Sequence, residues 1–70
     1  MPILLAPTNQ ELRIVRVLVD EKTKKHLEDM GITINGTLSV LSKSGGTVVC
    51  KVKDGRVALD RNISTKIFVA

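Results

Sequence analysis

The chain has few of the residue types from which metal, disulfide and aromatic sites are built. Its 70 residues include one cysteine, one histidine and one phenylalanine, with neither tryptophan nor tyrosine. A single cysteine, Cys50, excludes an internal disulfide and favours a reducing cytoplasm. His26 and Cys50 together cannot complete a four-ligand zinc site within one chain. The scarcity of aromatic rings argues against base stacking and against grooves that bind proline-rich peptides.

Long apolar runs are also missing. The longest, residues 3–6 and 17–19, fall far short of the roughly 20 residues that span a bilayer. Residues 1–7 lack the basic start and cleavage site of a signal peptide, so we expect a cytosolic protein. A chain of 70 residues predicts one domain, 1–70, with a marginal core and little room for a deep enzymatic cleft.

The net charge of +4 is unevenly distributed. In residues 1–35 the acids match the bases in number, whereas from residue 36 onward the bases outnumber the acids by six to two. The bases of this second half are Lys43, Lys51, Lys53, Arg56, Arg61 and Lys66. Such an excess can attract nucleic acid, an anionic membrane or an acidic protein. A solvated sheet face kept soluble by lysine fits equally well.

A short helix is predicted to end at Gly31. Asp20 suits its first turn, where free backbone N–H groups favour negative charge. Thr23, Leu27 and Met30 share one helical face, and Gly31 can adopt the left-handed conformation that caps the last carbonyls. About ten residues are too few to be helical alone. We therefore expect Leu27 and Met30 to be buried mainly in the core, with a partly exposed Leu27 still able to contact a partner.

The chain before this helix predicts an arm and a strand. Residues 1–10 contain two prolines and read as an arm that ends in a turn, with residues 3–5 able to lie on the core. Residues 11–19 are rich in branched side chains, but both parities mix apolar residues with arginine. This pattern indicates a long, bent strand that is partly covered on both sides.

After Gly36 the sequence alternates apolar with polar residues. This pattern predicts a strand at 37–41, a turn at 42–46, a third strand, a tight hairpin turn at Asp54-Gly55 and a fourth strand. A short turn or a single helical turn at 60–64 and a fifth strand follow. The inward positions of the last three strands are Val48, Cys50, Val52, Val57, Leu59, Ile67 and Val69. Five strands and one inserted helix predict a mainly β fold, a small SH3-like barrel, with an OB-like barrel as the alternative.

Catalytic patterns are not evident. His26 has no apparent serine or cysteine partner, and Glu28 and Asp29 diverge because they are adjacent on a helix. Gly45-Gly46 lacks the lysine and hydroxyl residue of a phosphate loop. We expect no enzymatic activity, no catalytic residue, no cofactor and no metal site within one chain.

The single cysteine, the single histidine and the single phenylalanine each have an interpretation that does not involve function. We expect Cys50 to be a small buried hydrophobe. His26 suits the negative end of the helix dipole, although a weak metal site with Glu28 or Asp29, shared between chains, stays open. Phe68 has the outward parity of Lys66, and either packs under the arm or anchors a partner.

Two acidic residues break a local rule of helix design. Glu28 and Asp29 lie in the last turn, where negative charge opposes the dipole by ~0.3–1 kcal/mol each. Such violations are enriched at functional sites. Screening by solvent, or by Lys24 and Lys25 one turn earlier, would explain them without function.

Residues 26–32, HLEDMGI, resemble the Arg-Leu-x-Asp/Glu-Met/Leu-Gly-Ile signature of the FeoA family of ferrous iron transport proteins. Residues 56–61, with Ile67 and Val69, resemble the closing strands of that family, and the similarity runs from 11 to 69. The departures are His26 in place of arginine, residues 33–35 before Gly36 in place of a Pro-Gly turn, Asn9-Gln10 in place of a glycine, and Ser64 in place of alanine.

The resemblance implies an SH3-like barrel in a bacterial cytoplasm and a non-catalytic accessory to FeoB, a membrane transporter with a cytosolic GTPase domain. The resemblance also implies an association with transition-metal ions, but it identifies no residues that would bind them. We expect a protein peripheral to the membrane at most and not bound to nucleic acid, with a monomer among the options for its oligomeric state. The hypothesised partner-binding residues are Lys24, Lys25, His26, Leu27, Glu28 and Asp29. The expected structural residues are Met30, Gly31, Gly36, Leu59 and Ile67.

Two other function classes stay open. One is a free-standing barrel related to the C-terminal domain of DtxR-type metal-dependent repressors, whose partner would be a winged-helix regulator. The other is a nucleic-acid-binding barrel that uses the basic second half, whose affinity would fall steeply with salt.

Overall fold

A five-stranded antiparallel sheet carries the fold in the computed structural model, which describes residues 1–53 and 55–70. In chain order the elements are a 3₁₀ helix at Ile3–Leu5, β1 at Glu11–Val17, α1 at Glu21–Asp29, β2 at Thr37–Ser44, β3 at Thr47–Val52, β4 at Gly55–Leu59, α2 at Arg61–Ser64 and β5 at Ile67–Val69. The mainly β architecture, with a helix between the first two strands, is confirmed. The helical turn expected at 60–64 is α2.

The strand order is β4-β3-β2-β1-β5. Neighbouring strands in the first four positions are also neighbours along the chain, and β5 returns to pair with β1. The arm extends this edge, because Val69 N–H donates to the carbonyl of Met1 at 2.8 Å and Pro2 bridges Phe68. Phe68 is half-buried beside Pro2, as expected for packing under the arm.

A β-bulge explains the mixed parity of the first strand. Ile14 pairs with Val69 and Arg16 with Phe68, so two steps on β1 oppose one step on β5. After the extra residue, the side chains that point toward the core are those of the opposite parity. Before the bulge the even-numbered residues face the core, and after it Val17 is partly buried instead. The bent strand is confirmed, although it ends at residue 17 and not 19.

The second strand is longer than the alternation predicted. β2 runs to Ser44, and the turn is confined to Gly45-Gly46, both of which have positive φ, at 58° and 91°. The prediction of a five-residue turn at 42–46 is wrong because Ser44 already pairs with Thr47. A register shift between Val40 and Ser42 interrupts the alternation along β2, so a simple period-two pattern does not detect the part of the strand after the shift.

The next hairpin departs from the prediction at Gly55. Val52 pairs with Gly55, and Gly55 begins β4, so the predicted placement of Gly55 in the turn is wrong. Lys53 adopts a left-handed φ of 53°. The predicted role of Asp54 lies outside the described residues.

The core consists of the inward sides of all five strands, closed by the arm, by α1 and by Ile32. Its buried apolar members are Ile3, Ala6, Leu12, Ile14, Leu27, Ile32, Leu38, Val40, Val48, Cys50, Val52, Leu59, Ile67 and Val69. Leu59 and Ile67 are thus the structural residues expected, and Met30 packs partly buried against this cluster. Of the arm residues expected on the core, Ile3 is fully buried, but Leu5 is 70% exposed.

Candidate docking surface on the helix and the adjoining sheet face

Helix α1 begins at a side-chain cap. The Asp20 carboxylate accepts a hydrogen bond from the backbone N–H of Thr23 at 3.0 Å, which satisfies one of the free donors of the first turn. Hydrogen bonding to the side chain and then to the backbone of Thr23 lowers the pKa of Asp20. Glu21 adds negative charge near the positive end of the dipole. The predicted acidic start is confirmed.

The helix ends in a Schellman motif around Gly31. Met30 keeps helical dihedrals, and Gly31 turns to φ 95°. Gly31 N–H donates to the carbonyl of Glu28, and Ile32 N–H donates to the carbonyl of Leu27, both at 2.9 Å. These two bonds define the motif, and burial of both Leu27 and Ile32 provides its apolar side. The predicted cap at Gly31 is confirmed.

The exposed residues of α1 form a charged surface. Leu27 is only 2% exposed, which confirms that it belongs to the core and leaves little of its side chain for contact with a partner, and Lys24 is half-buried. Four of the hypothesised residues are exposed: Lys25, His26, Glu28 and Asp29. We call these four the helix surface. Helical spacing places Lys25 on the same side as Glu28 and Asp29, whereas His26 lies on a neighbouring side.

A cation from another element lies beside the acidic end of α1. The Cδ atom of Lys53 is 3.9 Å from the position that a Cβ on Gly31 would occupy. Lys53 follows β3, so the fold brings a positive side chain toward the turn that holds Glu28 and Asp29. A cation at this end of a helix is favourable.

Gly36 is required by close approach and not by a left-handed backbone. Its N–H donates to the carbonyl of Thr33 at 3.0 Å, and its carbonyl accepts from Ile14 N–H at 2.8 Å. A Cβ on Gly36 would lie 2.8 Å from Thr33 Oγ1 and 3.1 Å from the Thr33 carbonyl oxygen. Asn35 supplies the left-handed turn at φ 69°, and its Oδ1 accepts a hydrogen bond from Arg13. Gly36 is thus a structural turn residue.

A row of polar side chains crosses the outer face of the sheet. Glu11 stands opposite Ser39, and Ser39 stands opposite Lys51. Lys51 in turn stands opposite Arg56 on β4, and both cations are exposed. Like charges directly opposite each other destabilise a sheet. This pair is therefore a second place where the chain departs from a local rule.

An open groove of about 250 Å³ lies along this row. Its lining residues are Glu11, Thr37, Leu38, Ser39, Lys51 and Lys53. Ser39 lies on β2 between Glu11 on β1 and Lys51 on β3, and Thr37, also on β2, lies opposite Arg13. We call Lys51, Lys53 and Arg56 the basic face.

The sequence alone does not bring the basic face together as a site. The bases after residue 36 are in excess, but a count along the chain does not show which of them are neighbours. The available signal was the position of Lys51 and Arg56 on either side of a short hairpin loop, which places them opposite each other.

The ligating residue types remain apart in the described part of the chain. Within residues 1–53 and 55–70, no group of three or more His, Cys, Asp or Glu side chains could hold a metal ion. Cys50 is fully buried, as expected, and burial raises the pKa of its thiol to about 11. The buried side-chain N and O atoms in these residues all have hydrogen-bond partners. Among the same residues, no helix has the length and apolar character that crossing a membrane would require.

Comparison with known proteins identifies a family for this chain and solved structures that are similar to it. The FeoA domain family matches residues 1–70. A crystal structure of an iron uptake regulatory protein (FeoA) has a TM-score of 0.86 at 21% identity, covering 99% of this chain and 93% of that one. The solution structure of iron(II) transport protein A from Clostridium thermocellum has a TM-score of 0.87 at 20% identity, covering 99% of this chain and 44% of that one. No curated protein matches the chain. These likenesses confirm the predicted SH3-like fold class.

Proposed function

Because the chain belongs to the FeoA family, we propose that it is a non-catalytic accessory module of bacterial ferrous iron uptake. The match over residues 1–70 carries this proposal, and the two similar structures, an iron uptake regulatory protein and an iron(II) transport protein, support it. Residues 1–70 act in this proposal as a single domain in the cytoplasm.

The proposed partner is the cytosolic GTPase part of a FeoB-type membrane transporter. Docking on that part would keep the chain peripheral to the membrane at most. The accessory acts by contact, so ferrous iron is the cargo of the transporter and not a cofactor of this chain.

The helix surface is the proposed contact region. Glu28 and Asp29 are exposed and stand at the helix end that disfavours them, which is the kind of local conflict that function maintains. Lys25 adds positive charge close to them, so the surface can be complementary to a partner with charges of both signs. The Schellman cap and the buried Leu27 hold this surface in a fixed position.

The test is a pull-down with the transporter's cytosolic domain, with and without guanine nucleotide and ferrous iron. The double variant Glu28→Ala/Asp29→Ala should weaken association by about three- to tenfold, as expected for two exposed charged contacts. Its unfolding curve should not move to lower denaturant, because both side chains are exposed and oppose the dipole.

Glu21→Ala is the control, since it removes a carboxylate from an exposed position of the same helix outside the helix surface. It should bind like the wild type. Equal binding by Glu28→Ala/Asp29→Ala would contradict the docking surface. Failure of the wild type to bind under every nucleotide and iron condition would contradict the partner.

A further inference from the structure

The basic face maintains a repulsive arrangement that the fold does not need. Lys51 and Arg56 are directly opposite on β3 and β4, and Lys53 follows in the same hairpin. All three are exposed, so none of them is held there by burial. Directly opposed cations destabilise a sheet, whereas a bound anion would convert the repulsion into attraction.

We propose that the basic face and its groove bind an extended acidic segment of a partner protein. This proposal goes beyond docking through the helix surface and does not depend on it. Lys51 and Lys53 would meet carboxylates of the segment inside the groove, and Arg56 would meet one beyond it. Thr37 and Ser39 offer hydroxyl groups that can hydrogen-bond the backbone or the carboxylates of such a segment.

The distribution of charge in the groove sets the position of the segment. Glu11 lines the β1 side and would repel carboxylates, whereas the lysines line the β3 side. Asp54, the next residue along the chain from Lys53, lies outside the described residues. The acidic side chains should therefore be concentrated over β3 and β4.

A protein segment fits this face better than a membrane or a nucleic acid does. None of the large exposed apolar residues lines the groove, so the face offers no side chain to insert into lipid. Phe68 does not line it either, so no ring is present there on which bases could stack. In the described residues β4 is the terminal strand of the sheet, and its unpaired edge adds backbone groups that only a peptide can match.

The test uses a fluorescent hexaglutamate peptide and measures anisotropy at about 50 mM and about 300 mM salt. The wild type should bind at low salt and lose affinity at high salt. Lys51→Gln/Lys53→Gln/Arg56→Gln should weaken binding at low salt by about tenfold, because three charged contacts are lost.

The matched control is Arg16→Gln/Lys22→Gln/Lys66→Gln, which also replaces two lysines and one arginine at exposed positions. It should change the affinity by less than about twofold. An equal loss in this control would show that only net charge matters and would overturn the proposal. So would a wild type that fails to bind the peptide at low salt.

Two competing ligands complete the experiment. Vesicles with about 30% phosphatidylglycerol and a single-stranded DNA of about 20 nucleotides are titrated against the same variants. Tighter binding of either one than of hexaglutamate, lost in the basic-face variant, would replace the acidic segment by that ligand. If the triple variant does not fold, Arg56→Gln is used instead and should weaken peptide binding by about threefold.

Discussion

Replacing Gly31 with alanine tests how α1 is held against the sheet. The φ of 95° is one that a residue with a side chain rarely adopts, and forcing it costs about 1–3 kcal/mol. The new Cβ would also lie 3.0 Å from Cγ1 of Val52. Val52 is buried, so relieving this contact needs an unfavourable rotamer at about 0.5–1.5 kcal/mol. We expect the free energy of unfolding to fall by about 2–4 kcal/mol.

Gly45→Ala is the matched control for the backbone cost. Gly45 also has a positive φ, 58°, but nothing lies within 4 Å of the Cβ that would be added. Its loss should be limited to the cost of the left-handed conformation, about 1–2 kcal/mol. The difference between the two variants therefore reports the less favourable φ of Gly31 and its contact with Val52.

The assay is urea unfolding followed by far-ultraviolet circular dichroism, since the chain has neither tryptophan nor tyrosine to serve as a fluorescent probe. For a domain of this size, 1 kcal/mol corresponds to about 4–8 °C in Tm, so Gly31→Ala should lower Tm by at least about 8 °C. A loss for Gly31→Ala no larger than that for Gly45→Ala would refute the assignment of a close contact with Val52.

Two further predictions concern pH and thiol chemistry. The pKa of Asp20 is lowered in the fold, so its stabilisation is present above its usual value of 3.8 and is lost as pH falls through the folded pKa. Urea unfolding of Asp20→Asn and wild type from pH 6 to about pH 2 should show a difference that shrinks on acidification, and a constant difference would contradict the cap. Cys50 has a pKa raised from 9.0 to about 11, so stability should decrease as pH rises from 9.0 toward 11. A thiol reagent at pH 8 should label Cys50 only in urea, and prompt labelling in buffer would contradict its burial.

Local sequence patterns predicted helix α1, its capped start and its end at Gly31. Asp20 caps the start and Gly31 the end because both effects act within one turn of backbone, where sequence distance equals spatial distance. The inward parity of Val48, Cys50 and Val52 was also readable, since alternation along an unbroken strand needs no partner to be recognised.

The errors occurred where pairing with another strand changes the local pattern. The bulges in β1 and β2 reverse the parity, and only the register with β5 and β3 reveals them. For the same reason Gly55 was predicted in the hairpin turn, whereas its pairing with Val52 places it in β4. Leu27 was correctly expected in the core, but the extent of its burial depends on how α1 seats on the sheet, which a helical pattern does not contain.

The sequence by itself determined the class of fold, the capped helix and membership of the FeoA family, because these depend on residue type and short-range spacing. The tertiary structure decided which charges are neighbours. It placed Lys53 beside Gly31 and set Lys51 opposite Arg56. Contacts of this kind depend on the register of strands and on the packing of the whole core, and no local pattern encodes them.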